Sequence, residues 1–281
     1  MKLNIAVIGV GLIGGSIALK LRRKGVTGKI YGVDFSENHL QQALQRKIID
    51  EAADLETAVK NSDLIVVAIP VDAAVKIFPE ILDLIDNQTV MDVGSTKEMI
   101  IKSVKKHPKR NRFVAFHPMW GTENSGPNAA LVEAFTGKAA IICDKENSAE
   151  NALKTVEEVA KMLEMNLLYM SAEDHDIHTA YISHISHITS YALANTVLEK
   201  EREEDKIFQL ASSGFSSTVR LAKSHPEMWV PIFKQNKENV LDVLNEHISQ
   251  LRKFKSALEK ENYELLEDLI RNANRIRGIL K

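Results

Sequence analysis

A glycine-rich turn near the start of the chain joins two stretches of different hydrophobic periodicity. The apolar run Asn4–Gly9 is typical of a buried β-strand, and Leu12–Lys24 has the spacing of an amphipathic helix. The pattern Gly-x-Gly-x-x-Gly between them allows a tight turn, close backbone approach to a pyrophosphate and close helix–strand packing. The amide groups at the start of the helix would then bind the phosphates. The residues that we expect at this contact are Gly9, Val10, Gly11, Leu12, Ile13 and Gly14.

A carboxylate follows the second predicted strand, where dinucleotide-binding domains bind the ribose. Ile30–Asp34 is a short apolar run, and its last residue lies twenty residues after Gly14. The charge of Asp34 would repel the additional phosphate of NADP, and no Arg or Lys closely follows it to compensate. The sequence therefore predicts NAD as the cofactor. We assign Ile69 and Pro70, at the end of the third predicted strand, to the same site.

The first 170 residues alternate short apolar runs with amphipathic segments. Further strands are predicted at Leu64–Ile69, Thr89–Val93, Phe113–Phe116, Ala139–Cys143 and Asn166–Met170. This alternation predicts a Rossmann-type α/β domain with a doubly wound parallel sheet at residues 1–170. After Ser171 no strand pattern remains and apolar residues recur at helical spacing. Residues 171–281 are therefore predicted to form an all-helical domain.

Composition excludes several classes of function. Lys and Arg number 36 against 38 Asp and Glu, so the chain has no general attraction for nucleic acid. The single cysteine, Cys143, excludes an internal disulfide and fits a reducing compartment. The apolar run Leu3–Ile8 is too short to cross a bilayer, and its flank lacks the features of a secretory signal. We therefore expect a soluble cytoplasmic protein with a small-molecule substrate and without nucleic-acid or membrane partners.

Two polar motifs follow strand ends, where open parallel sheets bind their ligands. Ser95 lies in Asp92–Lys97 directly after a strand, and with Glu98 it also has the spacing of a helix capping box. His117 follows the next strand, where several strand ends should converge. An unperturbed imidazole titrates near about pH 6.5 and suits a general base at neutral pH. Ser95 and His117 are therefore the candidate catalytic residues, and each also has a structural explanation.

Four further histidines follow in the helical half: His175, His178, His184 and His187. On one straight helix, at about 100° per residue, the last two point opposite to the first two. The four rings could not converge on one ion, and neither an HExxH pattern nor cysteine ligands are present, so we predict no metal site. We expect His175 and His178 to be solvated or interfacial, and His187 to be a donor in a pocket.

Motifs in both halves of the chain occur together in one known family. They are GVGLIGGS at Gly9–Ser16, DVGSTK at Asp92–Lys97, HPMWGTENSG at His117–Gly126, SHISH at Ser183–His187, and Gly214-Phe215 followed by Arg220 and Met228-Trp229. In this order, and spread over nearly the whole chain, they resemble the TyrA family of prephenate and arogenate dehydrogenases. Trp120, Ser186 and Ser213 depart from the family pattern, which bears on the shape of the pocket more than on the reaction.

The resemblance implies oxidation of prephenate by NAD⁺ with loss of CO₂, giving 4-hydroxyphenylpyruvate in tyrosine biosynthesis. It implies that His117 hydrogen-bonds the ring hydroxyl and accepts its proton, and that Ser95 orients the histidine or the hydroxyl. Arg220 would bind a substrate carboxylate. The other pocket residues that it implies are Glu123, His187, Trp229, Thr122 and Gly214. The resemblance and the apolar helical half also point to a homodimer.

The residues alone leave other functions open. Arogenate has an amine where prephenate has a keto group, and no residue distinguishes the two substrates. A β-hydroxyacid dehydrogenase also joins a nucleotide-binding domain to a helical one, but it usually relies on a helical catalytic lysine that nothing here marks. A dinucleotide-binding sensor without catalysis would have no need to retain His117, Ser95 and Arg220 together.

Overall fold

Eight strands form one sheet in the computed structural model, which describes residues 2–202 and 206–279. The strands are β1 (Leu3–Ile8), β2 (Thr27–Val33), β3 (Glu51–Ala52), β4 (Leu64–Val67), β5 (Thr89–Asp92), β6 (Phe113–Pro118), β7 (Ala139–Cys143) and β8 (Asn166–Met170). Their order is β3-β2-β1-β4-β5-β6-β7-β8, and β1 to β6 run parallel. The strand order reverses between β1 and β4, the switch point at which doubly wound sheets bind ligands. The fold class expected from the sequence is confirmed.

The structure differs from a fully parallel sheet at one edge. β7 runs antiparallel to β6, and β8 is parallel to β7. Parallel neighbours need a crossover, usually a helix that packs on a face of the sheet. The connection from β6 to β7 contains only a turn of 3-10 helix at Pro127–Ala129, so the chain returns in the opposite direction. β3 was not predicted because two residues are too few to show a hydrophobic pattern.

The helices flank the sheet and then continue to the end of the chain. They are α1 (Leu12–Arg23), α2 (Glu37–Gln45), α3 (Leu55–Lys60), α4 (Val71–Leu84), α5 (Glu98–Val104), α6 (Glu150–Met162), α7 (Ala172–Thr179), α8 (Ile185–Glu201), α9 (Ser213–Thr218), α10 (Pro226–Gln235), α11 (Lys237–Glu259) and α12 (Tyr263–Ala273). A π-helical segment, Ala180–His184, joins α7 to α8. Short 3-10 helices lie at Arg110–Arg112, Lys145–Asn147, Ile207–Leu210, Arg220–Lys223 and Asn274–Gly278.

Helices cover both faces of the sheet, so the central strands are buried on both sides. In β4, Leu64 and Val66 pack in one hydrophobic cluster with Ile17 of α1. Their neighbours Ile65 and Val67 pack in a second cluster that includes residues of α4. A strand buried on both faces needs a continuous apolar run, which is the pattern that predicted it.

The chain divides into two compact units, Met1–Asn236 and Lys237–Lys281. In the first unit, α10 packs against α4, and α7 packs against α5 and β7. Residues from both halves of the sequence are therefore brought together at the sheet. In the second unit, α11 packs against α12. Across the described residues, no helix combines the length and the hydrophobicity needed to span a membrane.

Candidate active site

The turn between β1 and α1 excludes side chains at two glycines and is open at the third. Gly9 has a φ of +93°, and a Cβ there would lie 2.3 Å from the carbonyl oxygen of Ala68. A Cβ at Gly14 would lie 2.2 Å from the carbonyl oxygen of Gly9. A Cβ at Gly11 would have no described atom within 4 Å. The backbone at the start of α1 therefore faces open space, and this shape fits the pyrophosphate of a dinucleotide.

Asp34 lies directly after β2, beside the glycine turn. Its carboxylate accepts hydrogen bonds from the backbone N–H groups of Val10 at 3.1 Å and Ser36 at 2.9 Å. Each carboxylate oxygen keeps capacity to accept a further bond, such as one from a ribose hydroxyl. Ile69 also borders the turn, because a Cβ at Gly9 would lie 2.9 Å from its Cγ2 atom. The residues assigned to the cofactor from the sequence are thus gathered at the end of β1, β2 and β4.

Pro70, the last residue assigned to the cofactor, is exposed and precedes the first residue of α4. Its φ of −51° and extended ψ direct the chain from β4 into the helix. A proline suits this position because the first N–H groups of a helix have no partner within the helix.

His117 lies at the end of β6 with 9% of its surface exposed. Two buried residues of α7 extend a chain of hydrogen bonds from its ring. Nδ1 of His117 is 2.8 Å from Nε2 of His175, and Nδ1 of His175 is 2.7 Å from Oδ1 of Asp176. A carboxylate accepts hydrogen bonds, so His175 donates from Nδ1 and accepts at Nε2. His117 therefore donates from Nδ1, which leaves the lone pair on its Nε2 available as a base. We call His117, His175 and Asp176 the histidine relay.

Main-chain donors at the start of α5 fix the carboxylate of Asp176. Its two oxygens accept from the N–H groups of Lys97 at 2.8 Å and Glu98 at 3.0 Å. Asp176 thereby caps α5, the role that the sequence analysis gave to Ser95. The predicted capping box is wrong because the helix begins at Glu98, with Lys97 rather than Ser95 at its N-cap. Ser95 is half-buried in the loop between β5 and α5.

A buried ion pair lies beside the histidine relay. The side chains of Lys97 and Asp92 contact each other, and both are at most 1% exposed. Asp92 also accepts from the N–H groups of Gly94 at 2.9 Å and Phe116 at 3.2 Å. It thus links the end of β5 to the residue before His117. Nothing in the motif Asp92–Lys97 marked these two charged residues as a buried pair.

The two imidazoles of the relay are neutral at neutral pH. Burial lowers the pKa of His117 well below its ordinary value, and the charge of Lys97 acts in the same direction, as His175 and His184 do when they are protonated. Burial also lowers the pKa of His175, against the opposing effect of the Asp176 carboxylate. A neutral His117 is the protonation state that a general base requires.

The structure corrects the expectation for the histidines after β8. His175, expected to be solvated or interfacial, is fully buried, and His184 is buried as well, with 1% exposure. His178 is exposed, as expected. The π-helical segment turns by a smaller angle per residue than an α-helix, so the phase calculated for one straight helix does not apply beyond it. Sequence periodicity carried no signal of this change.

In the loop that follows His117, Glu123 forms an ion pair with Arg220 of the helical region. Nη1 of Arg220 is 3.1 Å from Oε2 of Glu123. Arg220 is 52% exposed at its side chain, so its remaining donors are accessible to an anion from solvent. Burial lowers the pKa of His187, and the charge of Arg220 lowers it further. Arg220 is therefore close enough to influence both the loop that begins at His117 and the ring of His187.

The loop that carries Glu123 is anchored at its far end on α1 and α2. The N–H of Leu131 donates to the hydroxyl of Ser16 at 2.9 Å, and Arg46 donates to the carbonyl oxygen of Ala130 at 3.1 Å. The same loop thus begins at the relay and ends against the helix that follows the glycine turn.

His187 and Trp229 form a stacked pair, with ring centroids 3.4 Å apart. Both residues are buried, at 9% and 6% exposure. His187 donates from Nδ1 to the carbonyl oxygen of Ser183 at 3.1 Å, so its Nε2 accepts when the ring is neutral. Among the described residues, Nε1 of Trp229 has no hydrogen-bond partner although it is buried. Such a donor is costly to leave unsatisfied, and a bound ligand could satisfy it.

Two further residues expected in the pocket have local contacts. The hydroxyl of Thr122 accepts from the N–H of Asn124 at 3.2 Å, within the loop that carries Glu123. Gly214 lies in α9, where its carbonyl oxygen accepts from the hydroxyls of Ser217 and Thr218 at 2.9 Å each. Within the described parts of the chain, neither Ser95 nor Gly214 is joined to the relay by a hydrogen bond.

The residues that depart from the family pattern are accommodated locally. Trp120 packs edge-on against Phe135, with centroids 5.4 Å apart, at the margin of the hydrophobic cluster that contains β1. The hydroxyl of Ser186 donates to the carbonyl oxygen of Ile182 at 3.3 Å, within the helix. Ser213 is the first residue of α9.

Two family profiles match the chain, one on each half. The profile described as "Prephenate dehydrogenase, nucleotide-binding domain" matches residues 17–169, and "Prephenate dehydrogenase, dimerization domain" matches residues 171–272. Prephenate dehydrogenase of Bacillus subtilis (strain 168) is 32% identical over 95% of this chain and 73% of its own length. Cyclohexadienyl dehydrogenase of Zymomonas mobilis is 29% identical over 99% of this chain and 96% of its own length.

Solved structures are similar over the whole chain. Prephenate dehydrogenase from A. aeolicus, in complex with hydroxyphenyl propionate and NAD⁺, matches with a TM-score of 0.89 and 31% identity, over 100% of this chain and 99% of that one. Synechocystis arogenate dehydrogenase matches with a TM-score of 0.75 and 25% identity, over 99% and 100% of the two chains. Family profiles match both halves of the sequence, and a relative 32% identical matches nearly the whole chain, so the chain belongs to the prephenate dehydrogenase family.

Proposed function

We propose that this protein catalyses the NAD-dependent oxidative decarboxylation of prephenate to 4-hydroxyphenylpyruvate, a step of tyrosine biosynthesis. The observation that carries the proposal is the histidine relay, in which a neutral His117 has its Nδ1 bonded to His175 and its Nε2 available. The names of the Bacillus subtilis and A. aeolicus relatives support the substrate. The A. aeolicus structure contains NAD⁺ and an aromatic carboxylate with a ring hydroxyl, which supports the same pairing of cofactor and substrate class.

The cofactor would be held by the glycine turn around Gly11 and by the carboxylate of Asp34. Gly11 leaves the start of α1 open for the pyrophosphate, and Asp34 would accept hydrogen bonds from ribose hydroxyls. Bound NAD⁺ supplies the hydride acceptor. The proposed base, His117, and the proposed carboxylate-binding cation, Arg220, are side chains of this protein.

In the proposed mechanism, Nε2 of His117 accepts the proton of the ring hydroxyl while a hydride leaves the carbon that bears this hydroxyl. The imidazolium that forms donates from Nδ1 to His175, and the carboxylate of Asp176 stabilises the positive charge on the two rings. Arg220 would bind a carboxylate of the substrate, which is a dianion. As the ring carbonyl forms, the bond to the ring carboxylate breaks and CO₂ leaves. The electron pair of that bond makes the ring aromatic, and the phenolate oxygen takes a proton back from the His117 imidazolium.

The experiment that tests this proposal is NADH formation with prephenate and with arogenate side by side. We expect turnover of prephenate, and turnover of neither substrate would contradict the proposal. Arogenate dehydrogenase is the second candidate function, and its support is the likeness to the Synechocystis arogenate dehydrogenase. A clear preference for arogenate would favour this second function.

Arg220→Ala is expected to raise KM for prephenate by about 10- to 100-fold, with a smaller change in kcat. A hydrogen bond to a charged group contributes about 1.5–3 kcal/mol, and this one would be made equally in the bound substrate and the transition state. Initial rates at saturating NAD⁺ measure the change. Lys223→Ala, an exposed cation in the same 3-10 helix, is the matched control and should leave KM unchanged. A collapse of kcat at constant KM would assign Arg220 to a different role.

Asp34→Asn is expected to lower kcat/KM for NAD⁺ by about tenfold and to reduce the discrimination against NADP⁺. The amide keeps the size of the carboxylate but removes the charge that attracts ribose hydroxyls and repels the additional phosphate. The measurement is the ratio of kcat/KM for the two cofactors in the wild type and the variant. Equal use of both cofactors by the wild type, or an unchanged ratio in the variant, would contradict the assignment.

We also propose that residues 1–170 bind the cofactor and that residues 171–281 bind the substrate and form a homodimer. The profile that matches residues 171–272 is described as a dimerization domain, which supports this division. Leu258, Tyr263 and Ile270 in the second compact unit are 57%, 64% and 48% exposed, and such side chains favour an interface. Sedimentation at micromolar concentration should give the mass of a dimer, and a monomer would refute it.

The proposed location of the enzyme is the cytoplasm. Its single cysteine, Cys143, is buried and free, which is compatible with a reducing compartment.

A further inference from the structure

Asn236 lies at the end of α10 and is 3% exposed. Its Nδ2 atom is 2.6 Å from the backbone oxygen of Asp176 and 3.2 Å from Nδ1 of His184. A carbonyl oxygen accepts only, so one N–H of the amide donates to Asp176. The other N–H faces Nδ1 of His184, which must accept, and His184 therefore carries its proton on Nε2. One amide thus contacts α7 and the π-helical segment at the same time.

The protonation state of His184 agrees with this assignment. Burial lowers its pKa to about 4, against the opposing charge of Asp176, so the ring is neutral at neutral pH. A neutral ring can accept the hydrogen bond from Asn236, whereas an imidazolium has no acceptor. A neutral His184 also adds no positive charge near His117, whose pKa is lowered by a charge at this position.

Asn236 and the start of α5 bind different parts of Asp176. The carboxylate of Asp176 is bonded to the start of α5 through Lys97 and Glu98, and its backbone oxygen is bonded to Asn236. The preceding residue of α10, Gln235, accepts from the hydroxyl of Thr96 at 2.7 Å. The end of α10 is therefore attached to the β5–α5 loop and to the relay helix.

The same helix also carries a wall of the substrate pocket. Trp229 lies in α10, two turns before Asn236, and stacks on His187. The bond from Thr96 to Gln235 and the stacking of Trp229 hold α10 independently of the Asn236 amide, so loss of that amide should affect Asp176 more than the pocket wall. A misplacement of about 1 Å caused by a mutation far from the reacting atoms can cost about 10²-fold in rate, so the loss of such a support is measurable.

We infer that Asn236 is a positioning residue, which orients Asp176 and His184 and through them the His117–His175 pair. The kinetic consequence of this inference rests on the proposed function. The structural consequence, a defined hydrogen-bonding state of His175 and His184, exists whether or not the protein turns over prephenate. The two can therefore be tested separately.

Asn236→Asp tests the kinetic consequence, because it keeps the size of the side chain and replaces the donor by an acceptor. We expect kcat for prephenate to fall about 10- to 100-fold while KM for prephenate and NAD⁺ stays within about twofold. Asn236→Ala, which removes the donor without adding a charge, should give the same division between kcat and KM if the first variant does not fold. A wild-type kcat, or a loss expressed in KM alone, would overturn the inference.

Asn61→Asp is the matched control. Asn61 occupies the C-cap of α3, and its Nδ2 donates to the carbonyl oxygen of Thr57 at 2.7 Å. The substitution therefore removes an amide donor to a backbone carbonyl at another helix end. This variant should keep the wild-type kcat. An equal loss of kcat in Asn61→Asp and Asn236→Asp would show a general structural effect and would overturn the inference.

Nitrogen-15 spectra of the histidine rings in the full chain test the structural consequence without turnover. In Asn236→Asp the resonances of His184 and His175 should shift, because an acceptor now faces Nδ1 of His184, while those of the exposed His178 should not. Unchanged His184 and His175 resonances would overturn the inference, whatever the wild-type activity. Shifted resonances in a protein whose wild type oxidises neither prephenate nor arogenate would support the positioning role and overturn the proposed function alone.

Discussion

His117→Asn is expected to lower kcat for prephenate oxidation by about 10²- to 10⁴-fold, the usual contribution of a general base. The asparagine amide can still donate toward Nε2 of His175, but it offers no basic nitrogen to the ring hydroxyl. The fold and the glycine turn should be unaffected, so the dissociation constant for NAD⁺ should remain near that of the wild type. Steady-state rates and NAD⁺ titration measure the two quantities. Turnover close to that of the wild type would remove His117 from the catalytic role.

The pH profile of kcat/KM gives an independent check on the same residue. Burial lowers the pKa of His117 well below its ordinary value of 6.5, and the base acts in its unprotonated form. Activity should therefore persist as the pH falls through 6.5 and should be lost only at lower pH, where the ring becomes protonated. This acidic limb should be absent in His117→Asn. An acidic limb at or above pH 6.5 would contradict a buried, neutral His117 as the base.

Asp176→Asn is expected to lower kcat by about 10²- to 10⁴-fold. The upper value is the loss caused by the same replacement of the buried carboxylate that orients the histidine of a catalytic triad. The amide can turn its nitrogen either toward Glu98 or toward His175. In the first orientation the bond from Glu98 is lost. In the second the bond from Lys97 is lost, and His175 loses its acceptor and changes tautomer. In both, no negative charge remains to stabilise the imidazolium of His117. Initial rates and the nitrogen-15 resonances of His175 measure the effect.

Asp174→Asn is the control for this prediction. Asp174 lies two residues earlier on α7, and its exposed carboxylate accepts from the hydroxyl of Ser171 at 2.7 Å. Both variants remove one carboxylate from the same helix, but only Asp176 contacts a histidine of the relay. A kcat in Asp176→Asn as high as in Asp174→Asn would show that the relay ends at His175 and needs no carboxylate.

The cofactor side of the site could be predicted from local patterns. The steric demands on Gly9 and Gly14 act between residues of one turn and the strand beside it. The position of Asp34 could be predicted because the number of residues between the glycine turn and the end of the next strand is nearly constant in such domains. For the same reason the strands themselves were recognisable, since their burial on both faces requires an uninterrupted apolar run.

The partners of His117 could not be predicted in this way. His117 and His175 are separated by 58 residues along the chain, and an isolated histidine pattern favoured a solvated ring for the second. Whether His175 is buried depends on α7 packing against α5 and β7, which no periodicity within α7 specifies. The same holds for the pairing of Arg220 with Glu123, which joins residues 97 positions apart.

The sequence by itself determined the fold class, the glycine turn and the position of a histidine at the end of a strand. These depend on backbone sterics and on hydrophobic periodicity, which act over a few residues. The tertiary structure alone decided that β7 turns back, that Asp176 rather than Ser95 caps α5, and which nitrogen of His117 is available. Hydrogen-bond partners and burial are set by segments that meet only after packing, so the state of a buried imidazole is a property of the whole unit.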